Sequence, residues 1–392
     1  MTPSNSPTTT TPSSVKIEFC SHTQFGGFLA RIIEHLCAEG YDASQLYLIS
    51  EEDYRTIHFK LSRFWLRLRM FVGFPIMLAL RLLFERGQVL LVVTSNPFFA
   101  PLVACIFGGR RTKVVHLLYD LYPDALIYSG KLRKNSLASR ILDKMQRAIL
   151  RRCDANVLLG EHLLAHVRER FGDLDLHNPV IIPVGADDEA FDAPLNAKST
   201  ESEPVRLLYC GNMGHMHDTA TLSAALAKLC SSNHEQRLDF SFHASGAAYA
   251  NFCSSMAATR PSCVKLEGYL NSEQWAKVMS TADIAIVTMK NGSERVVMPS
   301  KTYSAMQAAQ AILAIAPVDS DLATLVQEHE CGWVIAPGDV EALDALLQSL
   351  PARRAELHKK QKNSLNASNK HFSAHVVAKQ WAALFQTTGL TS

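Results

Sequence analysis

Apolar positions along this chain fall into short continuous or alternating runs. Between them lie longer stretches in which apolar residues recur every three or four positions. Val15-Lys16-Ile17-Glu18-Phe19-Cys20 alternates like a strand, and residues 28–39 are amphipathic and ended by Gly40, which predicts a helix. Further strand-like runs fall at 45–49, 89–94, 113–118, 156–159 and 180–183, with helical stretches at 126–152 and 161–171. The rhythm restarts after an acidic and Ser/Thr-rich segment. Strands are expected at 205–210, 238–244, 264–269, 284–287, 311–315 and 333–335, with helices at 219–229, 271–280, 302–310, 340–350 and about 373–386. Strands alternating with helices predict an α/β protein with parallel sheets covered on both faces. Ligands of such sheets sit at the carboxyl ends of strands, which places Ser95-Asn96-Pro97 and residues 120–124 at a mouth.

Length then divides the pattern. A chain of 392 residues is too long for one ordinary core. The expected layout is a disordered tail at 1–14, a first domain at 15–186, a linker at 187–203, a second domain at 204–370, and a terminal segment at 371–392 whose helix packs back on the first domain. A net charge of +2 is too small to make nucleic acid the main partner. Nine scattered cysteines without a CxxC pair, and a tail without an apolar core, fit a reduced cytoplasmic protein. Residues 88–109 are uncharged and long enough to span a bilayer, but Pro97 and Pro101 make them read as strand, turn and helix. Residues 55–86 carry seven basic side chains and one acidic one, Glu85, among Phe64, Trp65, Met70, Phe71 and Phe74. That pattern fits either an interfacial helix on the inner, anionic face of a membrane or a basic helix packed on its own domain. Residues 131–152 hold eight further basic residues against Asp143.

The candidate chemistry centres on Val296-Val297-Met298-Pro299-Ser300-Lys301. Pro299 marks a loop, Ser300 is placed to cap the following helix, and Lys301 falls in its first turn. A cation there opposes the helix dipole, which makes sense if an anion binds nearby; the plain alternative is a capped helix with a solvated lysine. Glycine-bearing βα turns at Gly26-Gly27 and at Gly211-Asn212-Met213-Gly214 are candidate phosphate loops, although such turns also arise for steric reasons alone. His22 and His116 are secondary candidates.

Together these motifs resemble the GT-B glycosyltransferases, specifically the large retaining family 4 in its surface-polysaccharide branch. In the second half the resemblance rests on Tyr209 through Gly214 with Asp218, Ser245-Gly246, Leu266 through Tyr269, Ala282-Asp283-Ile284, Pro299-Ser300-Lys301, and residues 332–339. In the first half it rests on Gly26-Gly27 and Asp120-Leu121-Tyr122-Pro123-Asp124, and it covers roughly residues 15–350. It implies two Rossmann-like domains facing a cleft. The second would bind a nucleotide-sugar through Gly211, Asn212, Gly214, Tyr269, Glu294, Arg295, Pro299, Ser300 and Lys301, and the first an acceptor, with Asp120 and Asp124 as catalytic candidates. The implied acceptor is a glycan or lipid-linked sugar, the mechanism retaining, and the nucleotide-sugar a co-substrate with no cofactor or metal expected. UDP is the default nucleotide, with an N-acetylhexosamine preferred. One departure stands out. The two glutamates that the family usually spaces eight apart fall in register on Val296 and Ser304, and Glu294 is the nearest carboxylate. Members with a Pro-Ser-Lys loop sometimes lack the second one.

An epimerase of the same fold and a non-catalytic membrane-bound partner of another transferase remain as alternatives. Other motifs are poorer. Asp173-Leu174-Asp175 and Asp319-Ser320-Asp321 match the DxD metal pattern, which is short enough to recur by chance. His162 and His166 lie one helical turn apart without a third zinc ligand.

Overall fold

The computed structural model describes residues 15–50, 53, 60–172, 176–229, 237–259, 262–268 and 270–387. The first half runs β1 (Lys16–Cys20), α1 (Phe28–Ala38), β2 (Asp42–Leu46), α2 (Lys60–Leu68), α3 (Phe74–Phe84), β3 (Val89–Thr94), α4 (Ala100–Phe107), β4 (Thr112–Leu118), α5 (Asp124–Tyr128), α6 (Leu137–Arg152), β5 (Ala155–Leu158), α7 (Glu161–Phe171) and β6 (Pro179–Ile181). The second runs β7 (Val205–Asn212), α8 (Ala220–Leu229), β8 (Leu238–Ser245), α9 (Ala247–Thr259), β9 (Val264–Glu267), α10 (Ser272–Thr281), β10 (Ile284–Thr288), α11 (Lys301–Gln307), β11 (Ala311–Ile315), α12 (Asp321–Glu328), β12 (Gly332–Ile335) and α13 (Val340–Ser349). Two C-terminal helices follow, α14 (Arg354–Ala367) and α15 (Ala374–Thr387).

Two six-stranded parallel sheets result, ordered β2-β1-β3-β4-β5-β6 and β12-β11-β10-β7-β8-β9. Central strands such as β3, β10 and β11 are buried at every position, as strands covered on both faces must be. Each order reverses once, between β1 and β3 and between β7 and β10, the points at which sheets of this kind take up ligands.

The linker is tied down at both ends. Arg31 of α1 donates to Asp187 at 3.4 Å and to Glu189 at 2.6 Å. Lys198 donates to the carbonyls of Ser280, Ala282 and Ala308 at 2.9, 2.7 and 2.6 Å. The chain then crosses back. Ala186 and Ser373 form a β-bridge, and α15 lies on the first domain with Trp381 against Phe19 and Phe385 against Tyr41.

Two expectations shift. The strand expected at 45–49 lies at Asp42–Leu46, because Gly40, at φ +93°, turns the chain sharply enough for pairing with β1 to begin at once. The single helical stretch at 126–152 divides into α5 and α6, the latter capped by Ser136, whose side chain accepts from the Ser139 N–H.

Candidate active site

A cavity of about 900 Å³ opens at the β7–β10 reversal and reaches across to the first domain. Its walls carry Gly211, Asn212, Gly214 and His217 from the β7 turn, His243 and Ser245 from the end of β8, and Trp275 from α10. Pro299, Ser300, Lys301 and Ser304 follow from the loop and helix after β10, and Gly27, Phe28, Asp120 and Asp187 complete it from the other side.

The β7 turn is a fixed scaffold. Gly211 takes φ +116°, and both backbone groups of Met213 are tied to the segment after β8: its N–H donates to the Ser245 carbonyl at 2.7 Å and its carbonyl accepts from the Ala248 N–H at 3.0 Å. Gly246, at φ +113°, cannot carry a side chain, since a Cβ there would lie 2.3 Å from Asn212 Oδ1 and 2.6 Å from the Met213 carbonyl. Asp218 caps α8, accepting from the N–H groups of Ala220 and Thr221 at 3.1 and 3.2 Å.

Lys301 reaches into this scaffold from the first turn of α11. Its Nζ stands 2.7 Å from Tyr209 Oη and 3.1 Å from the Asn212 carbonyl, and 3.9 Å from the centre of the Tyr209 ring. No carboxylate among the described residues is within ion-pair distance of it, and burial pulls its pKa down to about 7. His217 lies alongside. Its Nδ1 is 2.8 Å from the Thr288 carbonyl and must therefore donate, leaving Nε2 as an acceptor. Burial and the nearby Lys301 charge lower its pKa to about 4, so the ring is neutral.

The acceptor-side candidates separate. Ser95 Oγ accepts from the N–H groups of Tyr119 and Asp120 at 3.2 and 3.0 Å, which fixes the turn after β4 and holds Asp120 at the cavity wall. Burial raises the Asp120 pKa. Asp124 faces the other way. It is 5% exposed, is ion-paired with Arg170 of α7, and has His166 Nε2 at 3.7 Å, while Arg170 also holds Asp143. Asp124 does not line the cavity that Asp120 lines, which corrects the expectation that both carboxylates face the cleft. Gly27 lines the cavity; Gly26 and His22 stand back from it, the latter with Nδ1 2.8 Å from the Asn96 carbonyl. His116 is wholly buried in the sheet, with Nδ1 3.1 Å from Asn156 Oδ1.

The loop before α11 holds further corrections. Ser300 has helical backbone angles and its side chain makes no cap bond, so it lines the cavity without capping. Glu294 and Arg295 do not line it. Arg295 is 53% exposed and points to Glu169 of α7 at 3.9 Å, and Glu294 is packed behind it. The cause is next in sequence: Val296 is fully buried among Leu118, Leu121 and Leu163 of the first domain, which turns the preceding residues toward α7. Tyr269 and the Asp173-Leu174-Asp175 motif lie outside the described residues. Asp321, from the other DxD motif, accepts from the His162 N–H at 3.2 Å and lies 3.0 Å from its ring nitrogen, clasping the start of α7. Among the described residues no group of three or more metal-ligating side chains converges.

Sequence reasoning missed His217 as a cavity residue, along with His243 and Trp275. The signal for His217 was its place just before the capping Asp218, at the end of the turn after β7.

Two family models match the chain in order. One, described as Glycosyltransferase Family 4, covers residues 28–190, and the other, described as Glycosyl transferases group 1, covers residues 204–351. The chain belongs to the family 4-like glycosyltransferases of the GT-B fold. A probable glycosyltransferase, WbjE of Pseudomonas aeruginosa, is 25% identical over 276 residues; the match spans 68% of this chain and 66% of that relative's length. Among solved structures, sucrose-phosphate synthase from Thermosynechococcus elongatus superposes with a TM-score of 0.70 at 16% identity, covering 96% of this chain and 100% of the other. HepE of Anabaena in complex with UDP gives 0.67 at 11% identity, covering 95% and 100%. HepE with UDP-glucose gives 0.65 at 13% identity, covering 95% and 99%. At these identities the structural likeness establishes the shared fold.

Proposed function

We propose that the protein transfers a hexose or N-acetylhexosamine from a nucleotide-sugar to a hydroxyl of a glycan or lipid-linked acceptor in polysaccharide assembly, with retention of configuration and without a metal. The observation that carries this reading is Lys301: a desolvated amine at the strand-order reversal, held by two neutral oxygens and with no counter-charge among the described residues. Such a group gains most from an anion placed against it. A nucleoside diphosphate fits the need, and UDP is favoured because the HepE neighbour was solved with UDP and UDP-glucose.

In this reading the bond from the anomeric carbon to the diphosphate breaks as the bond to the acceptor oxygen forms. The acceptor proton passes to the departing phosphate oxygen, and Lys301 offsets the charge that develops there. Asp120 holds the acceptor hydroxyl in line, its burial strengthening that hydrogen bond, and His217 Nε2 accepts from a sugar hydroxyl. Two acidic groups line the cavity from that side, Asp120 and Asp187; Asp187 accepts from Arg31 and from the Glu189 N–H, which leaves Asp120 for the acceptor and favours transfer over the paired acid–base work of an epimerase.

The test is thermal stability of the purified protein with UDP, GDP, ADP and their sugar conjugates. One nucleotide should raise the melting temperature saturably, and Lys301→Ala should reduce the rise. No rise with any of them contradicts the reading and brings the non-catalytic partner forward.

A further inference from the structure

Away from the cleft, α3, α4 and α6 pack side by side on one face of the first sheet. Their inner sides share one buried cluster: Phe74, Leu78 and Leu82 of α3, Ala100 and Ala104 of α4, and Ile149 of α6. A surface helix with its core side so filled should turn polar side chains outward. These do not. Phe64, Trp65, Ile76, Leu80, Leu83 and Phe84 are 60, 56, 53, 52, 59 and 79% exposed. Ile106 at the end of α4 and Leu137 at the start of α6 are exposed as well, at 54 and 76%.

Helices α2 and α3 run into one another through a π-helical turn at Arg69–Gly73. The rod spans residues 60–84 and is on the order of 37 Å long at the usual helical rise. It contains no acidic residue. Arg67 and Arg69 on the rod, Arg110 and Arg111 beyond α4, and Lys131 and Arg133 before α6 are all exposed. Arg69 and Arg111 each donate to a backbone carbonyl, of Leu48 and Arg86, and neither is ion-paired with a carboxylate among the described residues. No helix among the described residues is long and apolar enough to cross a membrane.

We propose that this face is a docking surface for an anionic lipid bilayer. The rod would lie flat at the headgroup boundary, with its aromatic and aliphatic side chains in the acyl region and its arginines on lipid phosphates. A basic rim alone would suit many polyanions, and an apolar stripe alone would suit another protein. The two together, over three helices, match the interface where a bilayer changes from charged to apolar. The proposal deepens the transferase reading by bringing the enzyme to lipid-linked acceptors, yet it rests on a surface that shares no residue with the donor cavity.

The experiment is sedimentation of the full-length protein with phosphatidylcholine vesicles and with mixed phosphatidylcholine–phosphatidylglycerol vesicles, read together with tryptophan emission. Of the four tryptophans Trp65 is the exposed one; Trp275 and Trp333 are half-buried and Trp381 is buried. The bound fraction should rise at least tenfold on anionic vesicles and fall with added salt. Emission should shift to the blue and be quenched by brominated acyl chains, and Trp65→Phe should bind while losing that quenching. Leu80→Ser with Leu83→Ser should cut binding tenfold or more and leave the nucleotide-induced rise in melting temperature intact, which separates a lost surface from a lost fold or a failed donor site. Three results overturn the proposal. They are equal binding by this double variant, vesicle binding without quenching of Trp65, or vesicle-free self-association that the double variant abolishes, which would assign the face to a second copy of the chain.

Discussion

Two lysines sit at opposite ends of α11, and burial lowers the pKa of each to about 7. Lys198, from the linker, reaches the C-terminal end, where its three N–H donors meet three carbonyls from the ends of α10 and α11. A helix C-terminus welcomes a cation, and Asp283 adds to the attraction. Lys301 sits at the other end, where the dipole works against it, and its hydrogen-bond partners among the described residues are a phenol oxygen and one carbonyl. Desolvation alone therefore does not mark a functional site. One amine is satisfied by the fold and serves as a strap between linker and domain. The other meets only neutral groups among the described residues, and in the proposed function the diphosphate supplies its counter-charge.

Mutation should split the pair cleanly. Lys301→Ala is expected to lower kcat/KM by about 100- to 1,000-fold, the usual loss when one preorganised charge-stabilising group is removed. It should leave the melting temperature of the free protein unchanged or slightly raised, because a poorly satisfied buried amine is gone. Lys198→Ala should do the reverse. With three carbonyls left unpartnered, urea unfolding should register a loss of about 3 kcal/mol, while the nucleotide-induced thermal shift survives. Equal behaviour of the two variants in both assays would break the comparison.

The carboxylates of residues 120 and 124 extend the same contrast to the first domain. Asp120→Asn should reduce transfer by roughly 10- to 100-fold with stability retained. Asp124→Asn should cost about 2 kcal/mol of stability, since it strips a buried partner from Arg170, which keeps Asp143. Transfer measured well below the melting temperature should stay near wild type.

The smallest effect is in pH. The Lys301 amine titrates near 7 in the free folded protein and near its ordinary value when unfolded, so between those values the unfolded chain binds more protons. Stability of the free protein should accordingly rise with pH above 7. Diphosphate binding favours the charged amine, so the apparent affinity should fall with rising pH, by up to about tenfold per unit above 7, and Lys301→Ala should flatten that slope.

The parallel sheets and the position of Lys301 were legible in sequence because both follow local rules: apolar runs bounded by glycines, and a proline before a helix. Asp124 was misread because its fate depends on Arg170, a long-range partner 46 positions away that no local pattern displays. Ser300 looked like a cap by residue type, yet its helical backbone angles make it part of the turn. Glu294 and Arg295 were drawn in by proximity to the Pro-Ser-Lys loop. The adjacent valines were the better signal, since an apolar pair in a loop needs a core to enter, and Val296 finds one in the opposite domain.

The most direct measurement is calorimetric titration of wild type and Lys301→Ala with UDP and, separately, with uridine. The account predicts saturable UDP binding by wild type, a loss of at least tenfold in the variant, and uridine affinity that is the same in both, because the lysine serves the phosphates and not the base. No UDP binding by wild type, or equal losses for UDP and uridine, would contradict it.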